Sequence, residues 1–102
     1  MADKRGKWTK EDKDLIWKNY VNKKIYDYFE EDDLNEFDLN QECPCPFAMC
    51  EGYMLKAQYQ GKQPNKDYSW DIDHINGNPK DNRLENLQPM HPWCNKEKSR
   101  IK

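Results

Sequence analysis

Apolar residues recur in this chain at two different spacings, and the change between them marks out its elements. Leu15, Ile16, Tyr20, Ile25, Tyr28 and Phe29 follow roughly the helical period. Thr9 and Asp12 stand at the spacing of a capping box, with Asp in place of the usual Glu. Together they predict one amphipathic helix over roughly residues 10–30, ended by the four acids Glu30 to Asp33. Leu34, Phe37 and Leu39 fit a short local turn of helix. Further on, the period shortens to two. Tyr53 to Tyr59 alternates, with Leu55, Ala57 and Tyr59 on one face, and Tyr68, Trp70, Ile72 and His74 alternate with Ser69, Asp71 and Asp73. Each run predicts a strand. Gly61 to Asn65 and Asn76-Gly77-Asn78-Pro79 are turn signals. A loop is expected up to Asn86, and a short helix from His91 onward, with Lys96, Lys98 and Arg100 suiting its C-terminal end. Cys43-Pro44-Cys45-Pro46 carries two prolines, which argues against regular structure there and for a knuckle around a metal.

Composition changes this picture in two ways. A chain of 102 residues with 35% hydrophobic and 35% charged residues has a thin core, so a metal staple or a disulfide would help it. Thirteen aromatic residues (four Trp, six Tyr and three Phe) argue against disorder. No apolar run reaches the length of a membrane span or a signal peptide, so a soluble, cytoplasmic protein without a membrane partner is expected.

The net charge of −2 hides three zones. Residues 1–24 hold eight Lys/Arg against four acids, residues 25–51 hold nine acids and no Lys/Arg, and residues 52–102 hold nine Lys/Arg against six acids. The two basic zones permit nucleic-acid binding, and Met1 to Lys7 is expected to be frayed. The acidic belt should face away from DNA, or serve a protein partner.

The cysteines are Cys43, Cys45, Cys50 and Cys94. Without a signal for export, metal binding is a stronger reading than two disulfides. His91-x-x-Cys94 offers two zinc ligands at the entry of the last helix. Cys45 and Cys50 complete the set as a widened knuckle, with Cys43 as an alternative ligand and a four-cysteine site as the rival. The expected role of Zn2+ is structural, because protein side chains can fill every position.

Asp73-His74, then Asn86-Leu87-Gln88, then His91-x-x-Cys94-Asn95-x-x-Lys98-Ser99 form an ordered set. This set resembles the HNH endonucleases of the ββα-metal superfamily, over about residues 43–100. The resemblance implies an α+β fold: a ββα-metal core with a structural zinc site, preceded here by an N-terminal helix. It divides the chain into a helical, acidic extension over residues 1–40 and a zinc-containing nuclease core over residues 41–102.

The implied activity is metal-dependent hydrolysis or nicking of DNA phosphodiester bonds. His74 would be the general base, and Asp73 and Asn95 would hold one catalytic divalent metal, Mg2+ or another such as Mn2+ or Ni2+. Asn86 would fix the orientation of His74 from across the loop. Asp71 is an alternative to Asp73 as metal ligand. Lys80, Arg83, Lys96, Lys98 and Arg100 would contact DNA through backbone phosphates and the minor groove, with Lys4 to Lys10 as a second contact. So small a reading surface calls for low specificity or a partner that supplies it, and duplex cleavage would need a homodimer, a second visit or nicking only. A catalytically inactive, zinc-stabilised nucleic-acid-binding module is the alternative, and a protein-interaction domain built on the acidic belt is a third reading.

Overall fold

The computed structural model describes residues 8–48, 50, 52–60 and 68–101. The expectations for Met1 to Lys7 and for Gly61 to Asn65 lie outside these residues, as does most of the Lys4 to Lys10 contact.

Helix α1 runs over Lys10–Asn22 and starts at the expected capping box. The Thr9 hydroxyl accepts from the Asp12 amide at 3.0 Å, and the Asp12 carboxylate accepts from the Thr9 amide at 3.1 Å. Two of the orphan donors of the first turn are thereby satisfied. The helix is shorter than expected. Lys23 leaves helical geometry at φ −142°, and a 3-10 turn over Lys24–Asp27 follows. This break lets Ile25 turn inward to full burial, while the Lys24 ammonium reaches the Glu85 carbonyl. The buried stripe is also different: Ile16, Trp17, Tyr20 and Val21 face the core, and Leu15 and Tyr28 are exposed. The acidic run forms a second 3-10 turn over Glu31–Leu34, which buries Leu34.

Two small antiparallel sheets follow. Strand β1 (Glu42–Pro44) pairs with β2 (Tyr53–Leu55), with Cys43 opposite Met54. Strand β3 (Asp71–His74) pairs with β4 (Leu87–Met90), with Asp73 opposite Gln88 and His74 opposite Leu87. Helix α2 (Pro92–Ile101) closes the chain and packs against β3. The α+β class and the ββα core are as expected, but the hairpin is built from other partners. The first expected strand pairs back with the Cys43-Pro44 stretch, which is a strand after all. The second pairs forward with Leu87–Met90, which had been assigned to no element. Proline is tolerated in both cases because a two-stranded sheet has free edges on which no donor is needed. The face of β2 is also reversed: Met54 is buried, and Tyr59 lies beyond the strand in an isolated bridge to Trp70.

The core joins both halves of the sequence. Ile16, Trp17, Tyr20 and Ile25 pack with Met54, Trp70, Leu87 and Met90, and α1 lies across β4. Trp17 and Trp70 meet at 5.5 Å between ring centroids, and Tyr59 stands edge-on to Trp70 at 4.9 Å. Each buried ring finds a partner for its polar atom. Trp17 Nε1 donates to Leu39 O and Trp70 Nε1 to Lys56 O, both at 2.9 Å, and the Tyr20 hydroxyl donates to Pro44 O at 3.0 Å. The Tyr20 bond ties α1 to the end of β1, directly before Cys45.

Candidate functional site

Cys45 follows directly on β1, and Cys50 stands three residues before β2. His91 and Cys94 stand at the start of α2. The ligand atoms of these four residues all lie within 4.8 Å of one another. The arrangement has two further signs of a built site. First, His91 Nε2 lies 2.8 Å from Tyr53 O. A carbonyl can only accept, so Nε2 carries the proton and Nδ1 is left to ligate, 3.3 Å from Cys50 Sγ and 3.9 Å from Cys94 Sγ. Second, Gly52 leaves the room that the imidazole fills: a Cβ there would stand 3.2 Å from His91 Cε1 and 3.6 Å from Cys50 Sγ. The Gly52 amide points to Cys50 Sγ at 3.4 Å.

Three thiols and one imidazole fit the tetrahedral preference of zinc. Burial pushes the Cys45 thiol up to about 11 and the Cys94 thiol higher still, while it lowers His91. Cys43, the alternative ligand, is not in the cluster. It sits fully buried in β1 among the core residues, where desolvation raises its thiol well above the ordinary value.

Beside this knuckle, Asp73, His74, Asn95 and Lys98 line one cavity of about 510 Å3, together with Phe47 and the turn from Ile75 to Pro79. Asp73 is 2% exposed, and Gln88 Nε2 donates to its Oδ2 at 2.9 Å from the neighbouring strand. Asp71, the other candidate ligand, is not on this cavity; its Oδ1 accepts from the Ile72 amide at 2.8 Å. Asn95 Nδ2 donates to Ile72 O at 3.2 Å, which leaves the amide oxygen as its free end. The Asn95 amide donates to His91 O at 2.9 Å, so the first turn of α2 links the Cys3His cluster to this cavity.

Lys98 was expected on the DNA-facing side, and the structure turns it inward. Its ammonium donates to Asp73 Oδ1 at 3.0 Å and Oδ2 at 2.8 Å, and to the carbonyls of His74 and Ile75 at 3.2 and 3.1 Å. Three oxygen-bearing groups therefore converge on one cation. Hard oxygens of this kind are also what a divalent metal takes.

Asn86 does not touch the imidazole. Its Oδ1 accepts from the Asn76 amide at 3.0 Å, and its Nδ2 donates to Asn76 Oδ1 at 3.0 Å and to Asp81 O at 2.9 Å. It closes the loop between β3 and β4. Three residues in contact with the site were missed from the sequence: Gln88 on Asp73, Trp8 with its ring 6.3 Å from His74, and Asn82, whose Oδ1 is 2.8 Å from His74 Nε2. Gln88 lies in a strand that Pro89 and the lack of clean alternation hide in the sequence. A loop asparagine such as Asn82 gives no signal beyond that of a turn.

The remaining basic residues do not line the cavity. Lys80 and Lys96 are exposed. Arg83 is held by Asp81 in two bonds of 2.8 Å and by Glu85 at 3.2 Å, and Arg100 by Glu97 at 3.1 Å. The Arg83 hydrogen bonds hold the Asp81 carboxyl well below the usual carboxylate range.

Residues 56–90 match the family model of the HNH endonucleases. Over this third of the chain the sequence is similar to that family. The match contains Asp73, His74, Lys80, Arg83 and Asn86, while the four knuckle residues, Asn95 and Lys98 lie outside it. The HNH match and the geometry meet at β3, β4 and the loop between them. No curated protein and no solved structure matched the chain. Among the described residues no helix is long and apolar enough to cross a membrane.

Proposed function

We propose that this protein is a divalent-metal-dependent DNA endonuclease of the HNH type in which His74 takes a proton from the attacking water. The observation that carries the reading is the meeting of Asp73, His74 and Asn95 on one cavity, next to a Cys3His cluster. Phosphodiester hydrolysis needs a deprotonated nucleophile, relief of phosphate charge and help for the departing oxygen. A bound Mg2+, Mn2+ or Ni2+ would supply the charge relief, with Asp73 and Asn95 as its protein ligands. The chain's own residues do the rest. His74, at the end of β3, presents its imidazole to the cavity and accepts the proton from water. Lys98 keeps a positive charge beside Asp73, close to where the phosphate would lie. The exposed Lys96 and Lys80 would hold the DNA backbone, through phosphate rather than base contacts. The zinc knuckle fixes the start of α2 and, through the His91–Asn95 hydrogen bond, the position of Asn95.

The second reading is a zinc-stabilised DNA-binding module without activity. The Lys98 ammonium on both Asp73 oxygens favours it, because an ion pair can fill the place of a metal. Incubation of supercoiled plasmid with the zinc-loaded protein decides between them. The expected result is conversion to open circles with Mg2+, Mn2+ or Ni2+, and none with EDTA or with His74→Ala. Binding in a gel shift without nicking under any of the three ions would establish the module instead.

A further inference from the structure

We propose that Asn82 sets the tautomer of His74, so that Nδ1 is the atom that accepts the proton, and that Asn86 builds the loop frame that holds Asn82 against the ring. The proposal rests on the reading of His74 as general base. His74 Nε2 and Asn82 Oδ1 are 2.8 Å apart. An amide oxygen can only accept, so the proton of the neutral ring lies on Nε2 and the lone pair on Nδ1. A ring in the other tautomer would set a lone pair against the Asn82 oxygen, which is repulsive in a half-buried place.

One hydrogen bond can choose a tautomer only if its acceptor is held still. The loop supplies that rigidity on both sides of Asn82. On one side, the Asp81 backbone oxygen accepts from Asn86 Nδ2 at 2.9 Å and its Oδ2 accepts from Asn76 Nδ2 at 2.9 Å. Its carboxylate also grips Arg83 in two bonds of 2.8 Å. On the other side, the Arg83 carbonyl accepts from the Asn86 amide at 2.9 Å. The same Asn86 returns its own carbonyl to the Ile75 amide at 2.8 Å, beside His74. The loop is thus clamped at both neighbours of Asn82 and at the residue after the histidine. Asn86 builds the frame, and Asn82 is the part of the frame that meets the ring. Asn82 is therefore a positioning residue.

The test reads the ring directly. With only two histidines in the chain, 15N-labelled, zinc-loaded protein gives two imidazole spin systems, and His74→Gln assigns them. The expected wild-type spectrum has the neutral His74 proton on Nε2. Asn82→Ala should give a mixture of tautomers, and Asn82→Asp, which keeps an oxygen acceptor, should restore the Nε2 proton. In plasmid nicking, Asn82→Ala should lower kcat about 10- to 100-fold, as expected for loss of an imidazole-orienting partner, with KM little changed. Asn82→Asp should recover most of that loss. A wild-type proton on Nδ1, or an unchanged tautomer in Asn82→Ala, overturns the proposal. If wild-type protein nicks no DNA yet Asn82→Ala shifts the tautomer, the nuclease reading fails and the assignment of Asn82 stands. Zinc content and the far-ultraviolet spectrum of each variant check that the fold is intact.

Discussion

The Lys98 ammonium lies 2.8 Å from the buried carboxylate of Asp73, although the two residues are far apart in sequence. The pair joins α2 to β3 and places a positive charge where the proposed reaction needs one. A carboxylate that is 2% exposed cannot be left without a counter-charge cheaply. Lys98→Met should therefore destabilise the metal-free protein. Because Gln88 still donates to Asp73 and the Lys98 side chain is 30% exposed, the loss should be about 1–3 kcal/mol, below that of a fully buried pair. Mg2+ should recover more melting temperature in Lys98→Met than in wild type, since the ion takes over the vacated counter-charge. Equal responses of the two proteins to Mg2+ in thermal melts would show that the ion does not bind at Asp73.

The two neighbouring thiols of the Cys-Pro-Cys-Pro run should behave in opposite ways. Cys45 belongs to the Cys3His cluster, and Cys43 is packed in the core. Cys45→Ser should lose stoichiometric zinc and at least about 3 kcal/mol of stability, because metal binding and folding are one equilibrium in such a site. Cys43→Ala should keep its zinc and lose only about 1 kcal/mol from a small cavity. Metal analysis beside denaturant melts of both variants separates the roles. Zinc loss in Cys43→Ala with retention in Cys45→Ser would reverse the assignment.

How far the sequence speaks for this molecule depends on what each residue needs. The capping box at Thr9, the final helix and the Cys45, Cys50, His91, Cys94 set depend on local spacing, and all three are where the sequence puts them. Strand pairing is not local. Leu87–Met90 carries Pro89 and no clean alternation, and it is a strand because β3 and α1 cover both its sides: all four residues are buried. The end of α1 follows the same logic, since Ile25 reaches the core only if the helix breaks at Lys23. Lys98 has the composition of a solvated helix residue, and only the arrival of Asp73 beneath it gives its ammonium an inward partner.

Alkaline pH should separate the zinc-free from the zinc-loaded protein. Burial raises the Cys45 thiol from an ordinary 9.0 to about 11 in the folded, metal-free chain, and raises Cys94 further. The folded state then holds thiol protons that the unfolded chain releases. That contribution is fully present below pH 9.0 and is lost as pH rises toward about 11. Zinc-free protein should lose stability over this window, whereas zinc-loaded protein, whose thiols have already given up their protons, should not. For the same reason, adding zinc at neutral pH should release protons into a weakly buffered solution. A flat stability profile for the zinc-free protein between pH 9 and 11 would contradict the buried position of these thiols.

Gly52 is the position where the smallest change should reach the zinc. A methyl group there would stand 3.2 Å from His91 Cε1, closer than ordinary packing allows. The imidazole cannot easily yield, because Nε2 is bonded to Tyr53 O at 2.8 Å on one side and Nδ1 faces the thiols on the other. Gly52→Ala should cost roughly 1–3 kcal/mol, the usual range for overpacking, and should weaken zinc affinity in parallel. Competition with a chromogenic chelator measures the affinity. Unchanged affinity with a lowered melting temperature would mean that the strain is absorbed by β2 and not by His91.

Asn86 should prove more important to the loop than to the metal. Its side chain satisfies the Asn76 amide, the Asn76 side-chain oxygen and the Asp81 carbonyl, and it is 5% exposed. Asn86→Ala takes these partners from the Asn76 amide and the Asp81 carbonyl, while Asn76 Oδ1 keeps the Asn78 amide; each unsatisfied polar atom costs about 1–3 kcal/mol before water relieves part of it. A net loss of about 2–4 kcal/mol is expected. Asn86→Asp keeps the oxygen that accepts from Asn76 but loses both donated bonds, so it should fall between wild type and alanine. Neither substitution touches Asp73, Asn95 or the knuckle. Binding of Mn2+, followed by its paramagnetic resonance signal, should therefore change little in Asn86→Asp while nicking falls. A large drop in Mn2+ affinity in that variant would place Asn86 on the metal and not on the loop.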